Sequence, residues 1–250
     1  MKTGLALGLL MLLLLPVPVR AGDQRLADVE KRVAELVNRE RSAQGLGRLE
    51  YDLTLADIAA AHSQDMLDRG YFSHRNPEGW LERHRISFRY RSLIGVGGEN
   101  IWGLNGQDRS ADELAGFMLE GWMKSDEHRG NILRPSFTRQ GVGVMKRDGT
   151  MRATHLFLEA VAWLFDPVPY KVRRNQTLRL TAQGAGPAGA PDQARLDILD
   201  SDAPATDFQP VEAVKVDVRP GFYRLKFRFS RTKGDTTRFT IVPGPIIEVY

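Results

Sequence analysis

The chain changes its hydrophobic period part-way along, and that change limits what it can fold into. From Leu26 to Leu133 apolar residues recur at spacings of three and four, and from about Gln140 they alternate in twos. Leu26, Val29, Val33, Leu36 and Val37 predict a helix ending near Gly45. Leu55, Ile58, Ala59, His62 and Met66 predict a second, with Thr54 and Asp57 as a capping box and Gly70 as its stop. Leu114, Phe117, Met118, Gly121 and Trp122 predict a third behind a Ser110/Glu113 box. Ser125 restarts a short fourth helix, closed by Pro135, with His128 in its first turn. From Tyr71 to Gly98 the pattern reads as irregular chain with a short helix near Leu81.

The second half reads as strands. "QGVGVMKRDGTMRATHLFLEAVAWLF" is a hairpin about Asp148-Gly149, a strong two-residue turn signal. Helices first and strands after, on 250 residues, predict an α+β sandwich. Asp166-Pro167-Val168-Pro169 reads as a linker, so residues 22–167 are expected to fold alone and residues 168–250 to form a β-rich C-terminal module, a small all-β sandwich. Gln183 to Gln193 reads as a flexible loop. In "FYRLKFRFS", Leu225, Phe227 and Phe229 take one face of a strand and Arg224, Lys226 and Arg228 the other. That basic face is either ordinary solvated residues guarding a sheet edge or a surface that docks on an anionic envelope.

Lys2, the apolar run from Leu5 to Leu15, Pro16, Pro18 and the Val19-Arg20-Ala21 step have the order of a secretory signal peptide, residues 1–21, cut after Ala21. The run is short for a spanning helix, which needs roughly 20 apolar residues, so no transmembrane segment is expected after cleavage. A secreted or periplasmic location follows. The chain has no cysteine, which excludes disulfides, a thiol nucleophile, a lipobox cysteine and any thiolate metal site. The net charge of +4 is unevenly spread, with the basic excess in residues 168–250, and nothing points to a nucleic-acid partner.

All five histidines precede Asp166. His62 repeats with Leu55 and Ile58 and reads as a buried core residue. His84 sits among arginines and reads as exposed, and His155 lies in a strand with no evident partner. His74, in the loop "YFSHRNPEG" after two aromatics, is a better site candidate. Glu99, in "GVGGENIW", follows two glycines where backbone can approach closely; a surface turn would give the same local pattern. No H-E-x-x-H or G-x-S-x-G occurs. Ser230 to Lys233 matches S-x-x-K only at a strand end, and Asp200/Asp202 lack the glycine and glutamate of a calcium loop.

Five stretches in order, "VNRERSAQGLGRLEYDLTLADIAAAHSQDM", "GYFSH", "GENIW", "GWMKSDEHRGNIL" and "FTRQGVGV", resemble the CAP superfamily of cysteine-rich secretory proteins, antigen 5 and pathogenesis-related class 1 proteins, in its bacterial secreted branch. The resemblance implies an α-β-α sandwich CAP domain with a central cleft. It carries the cleft residues onto His74, Glu99 and His128, with His74 and His128 as ligands for a divalent metal such as Zn²⁺. Ser125 stands where animal and plant members have a second acid, with Asp126 and Glu127 as the nearest substitutes, and Glu159 stands near a usual glutamine. Two functions follow from the resemblance: a secreted binding protein for a lipid-like or cell-envelope ligand, or a metal-assisted, peptidase-like hydrolase using the same three residues. The missing second acid favours binding. A third reading leaves the cleft vestigial and gives the work to the β module.

Overall fold

The structure, a computed structural model, describes residues 24–106, 109–185, 189–201 and 203–250. The signal-peptide reading, Asp202 and the centre of the Gln183–Gln193 loop therefore lie outside the described residues. The first half runs β1 (Gln24–Arg25), α1 (Ala27–Ala43), β2 (Glu50–Tyr51), α2 (Leu53–Asp68), α3 (Glu82–Arg89), β3 (Leu93–Asn105), α4 (Ala111–Met123), α5 (Asp126–Ile132), β4 (Arg139–Arg147) and β5 (Thr150–Leu164). The second half is β6 (Lys171–Val172), β7 (Thr177–Leu178), β8 (Ala182–Gly184), β9 (Gln193–Ile198), β10 (Gln209–Pro210), β11 (Val214–Lys215), β12 (Gly221–Lys233) and β13 (Thr236–Val249).

The first sheet has the order β1-β4-β5-β3, with β2 added on β4 and β8 on β5. Alternation along β5 sends its two faces to two cores. Met151, Ala153 and Phe157 pack with α1 and α4 through Val33, Val37, Met118 and Trp122. Leu156 and Leu158 pack with α2 and α3 through Leu55, Ile58, Ala59 and Ile86. This is the α-β-α sandwich that was expected. Gly141 and Gly143 of β4 let α2 lie directly on the sheet, since a Cβ at Gly143 would stand 2.0 Å from the Ala60 backbone nitrogen.

Several local readings are corrected. Tyr71 to Gly98 is not irregular throughout, because β3 begins at Leu93. Its glycines hide the alternation, and they are small because Ile86 and Phe137 press against Gly97 and Gly98. The cap of α2 is Asp52, whose carboxylate accepts from Leu55 N–H at 3.1 Å, not a Thr54/Asp57 box. Asp57 instead pairs with Arg25. The Ser110/Glu113 box and the Ser125 cap form as expected.

His84 is fully buried rather than exposed. Its Nδ1 accepts from Leu81 N–H at 3.0 Å at the start of α3, and its Nε2 lies 3.0 Å from Asp200, far along the chain. Burial pushes it down to about 4, so it is neutral with the proton on the Nε2 that faces Asp200. Local sequence could not show a partner 116 positions away.

The C-terminal region builds a second sheet, β10-β9-β12-β13-β6, and a β11-β7 ribbon. Leu196, Leu225 and Phe227 of the sheet share a core with Leu178, Val214 and Val216, as in a small sandwich. Ile94, Ala162 and Leu164 of the first half enter the same core. The connection at Asp166–Pro169 is clamped: Val168 is buried, and Arg91 Nε donates to its carbonyl at 3.0 Å. The faces of β12 are as expected, but the basic one is not a solvated stripe. Arg224 is buried, and Arg228 stacks on Phe208 and Phe239.

Candidate functional site

In the strand order β1-β4-β5-β3, β3 ends the path, and the three candidate residues meet around it. Glu99 pairs with Leu156 and shares its face, the side of α2 and α3. Asn100 pairs with His155 and points to the opposite side, toward α5. The loop after α2 thus brings His74 to one side of the β3 edge, and α5 brings His128 to the other.

Each side chain is positioned by bonds that its own segment supplies. Asn131 Nδ2 donates to the Glu99 carbonyl at 3.1 Å and to Asn100 Oδ1 at 2.9 Å. Asn100 Nδ2 donates to the His128 carbonyl at 3.1 Å. Trp122 Nε1 donates to the Ile101 carbonyl at 2.9 Å. These bonds lock α4 and α5 to β3 and explain why a helix stops at Trp122–Met123 and restarts behind Ser125. On the other side, His62 Nε2 donates to the Ser73 carbonyl at 3.1 Å and Arg85 Nη1 to the His74 carbonyl at 3.2 Å. Burial pushes His62 down to about 4, so it serves as a neutral strut, as its helical position implied.

Glu99 is the buried centre, with its side chain 2% exposed. Oε1 accepts from His74 Nδ1 at 2.9 Å, and Oε2 is paired with Arg85. Burial alone would raise its pKa, but the charge of Arg85 and the hydrogen bond from His74 outweigh it and hold the carboxylate ionised. The Glu99 bond in turn raises His74 against its own partial burial. With Nδ1–H committed to Glu99, neutral His74 presents Nε2 as a free acceptor. His128 is held below its ordinary value by burial and by His74, and the described residues make no hydrogen bond to its ring nitrogens. The two imidazole centroids are 6.2 Å apart.

Arg85 is the residue that sequence reading passed over. Nothing in "LERHRISFRY" separates it from its neighbouring arginines until β3 is placed against α3. The substitutes for the missing acid do not join the site. Ser125 caps α5, Asp126 and Glu127 are exposed, and Glu159 accepts from Ser136 Oγ at 2.7 Å instead. His155 is a core residue, bonded through Nε2 to Gln140 at 3.1 Å and pushed down to about 3 by burial.

The donor set limits what the site can hold. Among the described residues, no three His, Cys, Asp or Glu side chains gather closely enough to hold a metal ion. Two imidazoles with unengaged nitrogens remain. Zn–N bonds of ~2.1 Å would place two ligating rings ~5–6 Å apart, close to the separation observed. The residues fit a two-histidine site with open positions, with Glu99 orienting one ligand from behind.

An α-β-α sandwich with a His-Glu-His cleft at its sheet edge is a recognisable class of domain. The sequence model of the cysteine-rich secretory protein family (CAP) matches residues 34–159, and the chain belongs to that family. The Bacillus subtilis (strain 168) uncharacterized protein YkwD is 40% identical over 122 residues, covering 47% of this chain and 42% of the relative. The uncharacterized membrane protein YlbC of the same organism is 34% identical over 123 residues, covering 47% and 32%. A solved extracellular protein containing an SCP domain, from Bacillus anthracis str. Ames, is 32% identical with a TM-score of 0.44, covering 53% of this chain and 41% of that one. The chain spans less than half the length of each of these relatives. Among the described residues no helix is long and apolar enough to cross a membrane.

Proposed function

We propose that this is a secreted CAP-domain binding protein whose cleft holds a divalent ion such as Zn²⁺ through His74 and His128 and takes a lipid-like or cell-envelope ligand. The observation that carries binding over hydrolysis is the state of Glu99. Both of its oxygens are engaged, one by His74 and one by Arg85, and it is buried. A carboxylate so occupied orients an imidazole; it is poorly placed to take a proton from water. A bound ion would supply Lewis acidity toward an oxygen-bearing ligand at its open positions. Phe72, 52% exposed and two residues before His74, lies against Gly103 of β3 and offers an apolar surface further along the same strand. Secretion rests on the N-terminal apolar run.

Calorimetric titration of Zn²⁺ into the mature chain tests this. The expected result is one site, weakening as pH falls through the His74 value, which Glu99 raises above the ordinary histidine one, and lost in His74→Ala/His128→Ala. Unchanged binding in the double variant rejects the site. The hydrolase reading keeps one supporting feature, that burial and His74 lower the pKa of His128 and its ring takes no hydrogen bond among the described residues. Peptide cleavage by the metal-loaded protein that disappears in His128→Ala would establish it.

A further inference from the structure

A cavity of about 350 Å³ lies between α3 and β3 of the first unit and β9, β12 and β13 of the second sheet. Its size is that of a small-molecule site. Ile86, Tyr90 and Pro243 give it apolar walls, and Arg224 and Lys226 of β12 also line it.

The cavity is lined by three acids, Glu82, Asp197 and Asp200, and three bases, Arg83, Arg224 and Lys226, but they are not paired with one another throughout. Asp197 is taken by Arg195 at 2.7 Å, and Asp200 by Arg83 and His84 at 3.0 Å each. Arg224 is 9% exposed, and its buried Nη2 has no hydrogen-bond partner among the described residues. Burial lowers it to about 10, so it stays a cation at neutral pH. No ion pair of Arg224 or Lys226 is formed among the described residues. Glu82 is the acid left over, and burial followed by the charge of Glu99 pushes its pKa up. An unpaired buried guanidinium is costly and persists where something outside the protein completes it. The strand's alternation makes this arrangement specific: Arg224 and Lys226 project two residues apart from one face, while Leu225 and Phe227 fill the core behind.

We propose that this cavity binds a small organic anion, an acid group on an apolar body, with the acid paired to Arg224 and Lys226 and the body against Ile86, Tyr90 and Pro243. A carboxylate and a phosphate monoester share this chemistry. None of the cleft residues His74, Glu99 and His128 lines this cavity, but Glu82 does and its charge acts on His74 and Glu99, so the two sites are neighbours with different binding residues.

The test uses the full mature chain, with octanoate and octyl phosphate as probes and octylamine, 1-octanol and inorganic phosphate as controls, followed by calorimetry and thermal denaturation. One saturable site for an octyl anion is expected, and the tighter of the two identifies the acid group. Lys226→Gln, a half-buried position, should weaken it about tenfold and Arg224→Leu should abolish it. His74→Ala/His128→Ala should leave it unchanged. Without ligand, Arg224→Leu should melt at or above the parent temperature, because it removes an unpaired buried charge. Three binding results overturn the proposal. They are no saturable binding of either octyl anion in the millimolar range, equal binding by octylamine or by inorganic phosphate alone, or anion binding that survives both substitutions. A lower melting temperature for Arg224→Leu together with unaltered binding in Lys226→Gln makes Arg224 a structural residue and overturns it as well.

Discussion

Replacing Arg85 by methionine keeps most of the side-chain length and removes the cation that touches Glu99. The Glu99 side chain is 2% exposed and that of Arg85 9%, so the pair sits in protein rather than solvent. Breaking a buried pair by removing one partner costs about 3–5 kcal/mol, because the remaining charge is left uncompensated. Against a typical total of about 5–15 kcal/mol, that is a large fraction. The pH dependence has a definite sign. Glu99 is depressed in the folded protein, so its contribution is present above the unfolded carboxylate value and lost as pH falls through the folded one. The parent should therefore exceed the variant most at neutral pH, and the gap should close in acid. Arg85 also holds His74 down, so the His74 pKa, already raised by Glu99, should rise further in Arg85→Met. Its own contribution runs the other way, full below the unfolded histidine value and lost as pH rises through the folded one. Urea denaturation across pH, with an NMR titration of the His74 ring, measures both. A stability loss under about 1 kcal/mol at neutral pH, or a His74 pKa that stays put or falls, would show that Arg85 does not hold Glu99 and His74 in this way.

Three further outcomes are expected. Gly143→Ala places a Cβ 2.0 Å from the Ala60 nitrogen, backbone against backbone, so it should cost about 3 kcal/mol or more in chemical denaturation. Asn131→Ala removes two bonds that tie α5 to β3 and leaves Asn100 Oδ1 without its donor; about 1–3 kcal/mol of stability and most Zn²⁺ affinity should go, with the circular dichroism spectrum retained. A fragment ending at Asp166 exposes Ile94 and Leu164, which the C-terminal core now covers, so it should be less stable than the full chain by about 3–6 kcal/mol and bind a hydrophobic dye.

The elements that sequence made legible are those whose signals are local. The Ser125 cap, the Ser110/Glu113 box and the Asp148-Gly149 turn each satisfy backbone groups within four residues, and each forms where expected. His74, Glu99 and His128 were legible because their motifs recur in order, and the structure brings all three to one edge of β3. What local signals missed depends on distant neighbours. β3 lost its alternation to glycines demanded by Ile86 and Phe137. His84 meets Asp200 from 116 positions away, and Arg224, on the strand face expected, is buried and lines a cavity together with Glu82, Arg83 and Ile86 of α3. Arg85 became a site residue only through Glu99, on a strand that periodicity did not reveal.

The central claim is that His74 and His128 together are the protein's ion ligands, with Glu99 behind them. X-ray absorption at the zinc edge of the Zn²⁺-loaded mature chain counts those ligands directly. Two imidazole nitrogens at about 2.0–2.1 Å are expected, with oxygen neighbours filling the other positions, reduced to one imidazole in His128→Ala. A site with three or more imidazoles, or the same spectrum in His74→Ala/His128→Ala as in the parent, would contradict it.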